Sequence, residues 1–207
     1  MFKGKNYHIV IGILLLGAVF YFFSSAREAK IANYPSSGTD IIAFGDSLIV
    51  GAGATYGNDF VSLLSKKIGQ EIINSGASGD TTDDGLARLN ELDRYRPRVV
   101  LVLFGGNDHL KKVPMEKTFE NLGKIIQNIQ SRGAIVMLLG VKGNLLGDKF
   151  EPEFKKIHKK YATAYIPDVL DGLFGNGKFM ADAIHPNDAG NAIIAERIYP
   201  ILAPLLK

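Results

Sequence analysis

The 207-residue sequence contains no cysteine and no tryptophan. Without cysteine there can be no disulfide, no thiolate nucleophile, no zinc finger and no lipid on an N-terminal cysteine. An excess of one charge is also missing where it would matter. The chain has 24 basic and 21 acidic side chains, a formal charge of +3. Lys3, Lys5, Arg27 and Lys30 against Glu28 account for all of that excess, so residues 40–207 carry twenty charges of each sign. The basic pI therefore belongs to the N-terminal segment and is no argument for nucleic-acid binding by the rest, for which no nucleic-acid partner is expected. Hydrophobic residues at 46% and charged residues at 22% exclude a disordered chain. The four histidines, His8, His109, His158 and His185, form no close-spaced ligand pair, so no metal site is expected. Cofactor signatures are lacking as well. Gly51, Gly53 and Gly57 resemble a dinucleotide loop, but Tyr56 stands where its third glycine belongs. Gly177-Lys178 lacks the hydroxyl residue and the upstream glycine of a phosphate loop.

One long apolar run is present. Residues Ile9–Phe23 read IVIGILLLGAVFYFF, and the uncharged stretch continues through Ala26, eighteen residues in all. As a helix this would span about 27 Å, just under a ~30 Å hydrocarbon core. Two readings stand. Lys3 and Lys5 before the run and Ser24-Ser25-Ala26 after it suit a signal peptide. Phe20, Tyr21, Phe22 and Phe23 suit the interface of an uncleaved transmembrane anchor. Either places the remainder outside the cytoplasm, periplasmic or at the cell surface, or secreted after cleavage. Residues 27–39, with Pro35-Ser36-Ser37-Gly38, read as a flexible linker.

Residues 40–207 alternate short apolar runs with amphipathic stretches. Strands are expected at 41–44, 71–74, 99–104, 135–139 and 165–166. Helices are expected at 60–68, from about Thr82 to Tyr95 with Pro97 as the stop, from Pro114 to Arg132 with Gly133 as the stop, at 151–162, and after an Asn187 cap. The uninterrupted run Val99-Val100-Leu101-Val102-Leu103-Phe104 implies a strand buried on both faces. Alternating strands and helices point to an α/β fold with a parallel sheet between helical layers. Ligands of such folds collect at the carboxyl ends of the strands.

The loops that follow the first three strands carry polar groups suited to chemistry. The first strand runs into Gly45-Asp46-Ser47-Leu48, which exposes a serine hydroxyl after a glycine turn; on this motif alone a helix-capping serine is the simpler account. The second runs into Asn74-Ser75-Gly76-Ala77-Ser78-Gly79-Asp80, small residues that let a backbone N–H approach a ligand. The third runs into Gly105-Gly106-Asn107-Asp108, where the Asn107 amide can donate to an oxyanion or close an Asx turn. Near the C-terminus, Asp182 stands three residues before His185, a spacing at which its carboxylate can accept Nδ1–H and leave Nε2 outward as a base. The adjacent Asp83 and Asp84 point apart on a helix and read as charges favourable to its dipole.

Together these blocks resemble the SGNH or GDSL hydrolases: FGDSL at 44–48, the glycine of NSGASGDT at 74–81, GGND at 105–108 and DAIHPN at 182–187. The resemblance covers about residues 40–207 and is closest to the bacterial arylesterase and thioesterase I/lysophospholipase branch. It implies a three-layer α/β/α sandwich around a five-stranded parallel sheet of flavodoxin-like order. It implies Ser47, Asp182 and His185 as a catalytic triad, with Ser47, Gly79 and Asn107 forming the oxyanion hole. The expected chemistry is hydrolysis of acyl esters, with thioesters and lysophospholipids as further candidate substrates, through an acyl-serine intermediate and with no cofactor. A carbohydrate O-acetylesterase acting on cell-envelope polymer and a non-catalytic, membrane-tethered acyl- or glycan-binding domain are the alternatives. The stretch 141–181 is idiosyncratic, so family substrate preferences do not transfer to it.

Overall fold

The computed structural model describes residues 30–141 and 149–207. Five strands form one sheet: β1 (Asp40–Gly45), β2 (Ile72–Gly76), β3 (Pro97–Leu103), β4 (Ile135–Leu139) and β5 (Ala164–Ile166). All neighbours pair in parallel, in the order β2-β1-β3-β4-β5. This is the flavodoxin-like order, whose switch point lies between β1 and β3. Every residue of β1 after Asp40 is buried, and β3 is buried apart from Arg98. Their continuous apolar sequences are what a central strand covered on both faces requires.

The covering helices follow from their apolar spacing. They are α1 (Ser47–Val50), α2 (Phe60–Ile68), α3 (Thr82–Ala87), α4 (Gly106–Leu110), α5 (Met115–Ser131), α6 (Phe150–Tyr161) and α7 (Asp188–Leu202). Helices α2 and α7 pack together as one layer, whereas α5 joins α3 and α6 in the other. Side-chain caps set several starts: Asp59 accepts from Ser62 N–H, Thr81 forms a capping box with Asp84, and Asn187 accepts from Gly190 N–H.

The structure departs from the sequence reading in four places. The helix expected over 82–95 is α3 followed by a 3₁₀ turn, Leu89–Arg94. The break falls at Arg88, whose side chain turns inward beneath the strand ends instead of continuing an exposed face. Pro97 opens β3, the strand position where a missing N–H costs least, and the preceding carbonyl of Arg96 accepts from Thr39 and Asp40. Two helices of about one turn, α1 and α4, occupy stretches read as loops. Finally, most of the expected linker belongs to the folded unit, which begins at Ile31. Ala32 N–H donates to Ala162 O, the Asn33 amide donates to Gln130 O and Ala134 O, and Ser36 Oγ donates to Gly133 O. Those partners satisfy backbone carbonyls that the ends of α5 and α6 leave over.

The apolar run Ile9–Phe23, read as an anchor or signal segment, lies outside the described residues. Among the described residues no helix is long and apolar enough to cross a membrane.

Candidate active site

The carboxyl end of β1 delivers Ser47. Gly45 is required there because an added Cβ would lie 2.2 Å from Leu103 O on the neighbouring strand. Asp46 then caps α1, its Oδ1 accepting Leu48 N–H at 3.0 Å, and Ser47 becomes the first residue of that helix. Its backbone N–H belongs to the first turn, whose amides have no partner within the helix.

His185 arrives from the opposite end of the chain. A tight turn over 180–186 presents it: Met180 bridges Pro186, and Ala181 N–H donates to His185 O at 2.8 Å. Asp182 organises the turn, with Oδ1 accepting the N–H groups of Ile184 and His185, both at 2.8 Å. Its Oδ2 lies 2.8 Å from His185 Nδ1. A carboxylate can only accept, so this contact keeps the ring proton on Nδ1 and turns the Nε2 lone pair outward. Nε2 lies 3.0 Å from Ser47 Oγ, joining residues 138 positions apart. The imidazole hydrogen bond, with the two backbone donors behind it, holds the Asp182 carboxyl down at about 2. Asp182 stays ionised at any physiological pH, although its side chain is more than half exposed.

The turn is braced against the loop that follows Ser47. Gly53, at φ +91°, comes close enough that a Cβ would sit 2.9 Å from His185 Cβ and 2.6 Å from Pro186 O. Asn191 spans the two segments, accepting Phe60 N–H at 3.0 Å and donating to Pro186 O at 2.9 Å. Asp188 accepts Thr55 N–H and Thr55 Oγ1–H, both at 2.7 Å. Of the glycines that resembled a nucleotide loop, Gly53 is thus a spacer between the serine and histidine segments, and Gly51 ends α1 at φ +87°.

Asn107 is the second residue of α4, which begins after Gly105 at φ +116°, a conformation that favours glycine. One of its amide hydrogens goes to Asp80 O at 2.9 Å; the second remains for the cleft, which Asn107 lines beside Ser47 and His185. Gly79 comes from the loop after β2, which meets the Asn107 loop through the Asn107–Asp80 contact. It sits one residue before Asp80 at φ +85°, with its carbonyl accepting from Lys111 Nζ at 2.8 Å. The cleft opens to solvent and is walled by Leu48, Leu110, Val141, Leu170, Phe174 and Ile184. Three of these come from 141–181, the idiosyncratic stretch.

The sequence reading missed two buried carboxyls. Asp46 is 2% exposed, and burial pushes its carboxyl up to about 7, against the opposing pull of Leu48 N–H and His185. Asp108 is fully buried and accepts Thr82 N–H at 2.9 Å and Thr82 Oγ1–H at 2.5 Å. Both stand within the GDSL and GGND blocks, so a signal was there, but neither role can be read without knowing which loops meet. The remaining described histidines lie elsewhere: His109 meets the Phe150 ring edge to face, and His158 stacks on Tyr165. Among the described residues no three metal-binding side chains gather.

A hydroxyl, an imidazole and a carboxylate in hydrogen-bonded series, beside an amide donor and an apolar cleft, constitute equipment for acyl transfer. The comparisons agree. Residues 43–193 match the GDSL-like Lipase/Acylhydrolase family. Esterase TesA of Pseudomonas aeruginosa is 33% identical over 178 residues, covering 80% of this chain and 89% of that protein. A protein of Escherichia coli named thioesterase 1/protease 1/lysophospholipase L1 is 29% identical over 175 residues, covering 80% and 84%. A crystal structure of TesA superposes with a TM-score of 0.76 at 31% identity, over 81% of this chain and 99% of that one. The three-layer sheet, the order of the blocks and these likenesses lead to one assignment: the chain belongs to the GDSL-like lipase/acylhydrolase family and is an esterase-type serine hydrolase.

Proposed function

We propose that this enzyme hydrolyses carboxylic esters of apolar acyl groups through an acyl-serine intermediate. The observation that carries the reading is the 3.0 Å contact between Ser47 Oγ and His185 Nε2 at the floor of an apolar cleft. As Ser47 Oγ attacks the ester carbonyl, His185 Nε2 takes the hydroxyl proton and Asp182 stabilises the imidazolium. The carbonyl oxygen becomes an oxyanion, received by the N–H groups of Ser47 and Gly79 and by the second amide hydrogen of Asn107. Collapse expels the alcohol, which leaves with the proton from His185, and the acyl group stays on Ser47. Water then enters, gives its proton to His185, and the second tetrahedral intermediate releases the acid and restores Ser47.

The walls of the cleft bear on the substrate. Leu48, Leu110, Phe174 and Ile184 offer an acyl chain a surface it gains by burying. An acetyl group on a carbohydrate would use little of it, so esters of longer acyl chains are favoured over O-acetylated polymer. Thioesters present the same carbonyl and fall within the same chemistry. The N-terminal apolar run supports a domain working outside the cytoplasm, held by a membrane anchor or freed by signal cleavage. The test is a panel of p-nitrophenyl esters from acetyl to palmitoyl. The expected result is kcat/KM rising with chain length until the cleft is filled, with Ser47→Ala inactive throughout. A flat profile or an acetyl optimum would contradict the apolar-chain reading, and an active Ser47→Ala would remove the nucleophile.

A further inference from the structure

Arg88 lies outside every motif the sequence singled out, yet its guanidinium is bonded in three directions beneath the site. Nε donates to Asp80 Oδ2 at 2.6 Å. Nη1 donates to Ser75 O at 2.9 Å and approaches Ser75 Oγ and Glu91 Oε2, both at 3.2 Å. Nη2 donates to Gly45 O at 2.8 Å. Its carbon centre lies 4.3 Å from the centre of the Phe44 ring and 6.0 Å from that of Phe104. The side chain is 15% exposed, so the cation is largely removed from water and its carboxylate partners offset the cost.

An ordinary core ion pair would need Asp80 alone. Here two of the partners are backbone carbonyls at the carboxyl ends of neighbouring strands. Gly45, whose carbonyl also accepts Ala77 N–H at 3.0 Å, stands two residues before Ser47. Asp80 directly follows Gly79, and its carbonyl takes the Asn107 amide at 2.9 Å. Each of the three donors assigned to the oxyanion is therefore one or two links from a single guanidinium. Resting on the reading above, we propose that Arg88 is a positioning residue that fixes the oxyanion donors of Ser47, Gly79 and Asn107 relative to one another. It touches no substrate. A lysine cannot replace it, because one ammonium on a flexible stem cannot span three loops as a planar fork does. Misplacing such donors by about an ångström costs on the order of 10²-fold in rate.

The test compares the full-length wild type with Ser47→Ala, Arg88→Ala and Arg88→Lys on p-nitrophenyl butyrate, well below each variant's melting temperature. Arg88→Ala should lose roughly tenfold or more in kcat, with KM changed less than about threefold. Arg88→Lys should recover little of it, and millimolar methylguanidinium should restore part of the rate to Arg88→Ala but none to Arg88→Lys. A purely structural role predicts a lower melting temperature with kcat unchanged; kcat within about twofold of wild type in either folded variant overturns the proposal. So does a loss confined to KM. If Arg88→Ala does not fold, the kcat of Arg88→Lys decides alone, by the same thresholds. A wild type no faster than Ser47→Ala would instead refute the serine mechanism itself, a separate result.

Discussion

Two carboxyls that both feel the charge of the same imidazole are driven in opposite directions. The Asp182 carboxyl is held at about 2 by the hydrogen bonds it accepts, whereas the Asp46 carboxyl is raised by burial to about 7. The unfolded chain would titrate both near 3.8. For Asp46 the folded state binds the proton more tightly. Its contribution to stability is complete below that value and is lost as pH rises through about 7. Asp182 behaves conversely, with a contribution present above 3.8 that disappears as pH falls towards 2. Asp46→Asn keeps a helix-capping acceptor but abolishes titration, so melting temperature should fall less steeply between pH 4 and 7 than in the wild type. Parallel melting curves would contradict the buried-carboxyl account. Asp182→Asn removes the acceptor that selects the tautomer, and kcat should drop at least 10²-fold. Because Asp182 is half exposed, water can partly solvate the imidazolium, so the loss should stay below the ~10⁴ of a buried counterpart. Asn107→Ala should lose 10²–10³ in kcat, about 3–4 kcal/mol, with unchanged melting; a loss under fivefold would remove Asn107 from the oxyanion site.

Among the elements, the shortest helices hold the most chemistry. α1 and α4 have four and five residues, too few for an apolar period to register, which is why the sequence read them as loops. Their stability comes from single residues: the Asp46 cap, the Gly51 stop at φ +87° and the Gly105 entry. The break after α3 was hidden for a related reason. Arg88 is a good helix former by propensity, and only its distant partners Gly45 and Ser75 draw it inward. Strand positions were legible to within two residues because β1, β3 and β4 are runs of buried apolar side chains, and the edge strands β2 and β5 still carry short apolar stretches. At this scale the sharpest prediction concerns Asp108, whose carboxylate ties the start of α3 to α4. Asp108→Ala strands the Thr82 N–H and hydroxyl in the core. It should cost about 2–4 kcal/mol in chemical denaturation, whereas an exposed control such as Glu120→Ala should change stability by under about 0.5 kcal/mol.

For the whole molecule, the sheet explains how residues 138 positions apart become partners. A parallel sheet directs every loop after a strand to one edge, and the last helix begins at that same edge, so Ser47, Asn107 and His185 converge without any local sequence link. The order of the four blocks was therefore enough to foresee that Ser47, Asn107 and His185 meet at one cleft. Their distances and the buried supports beneath them, which depend on contacts across the fold, were not. The same limit hid the docking of residues 31–39, whose partners lie about a hundred positions away. The N-terminal run carries a prediction at this scale. Protease added to intact spheroplasts expressing the full chain should degrade the hydrolase domain; protection equal to that of a cytoplasmic control would contradict export. The Ser47–His185 pair is open to a chemical test: treat the protein with a fluorophosphonate and map the adduct by peptide mass spectrometry. One stoichiometric adduct on Ser47 is expected, lost in Ser47→Ala and strongly slowed in His185→Ala. An unlabelled wild type, or an adduct on any other residue, would contradict the serine mechanism.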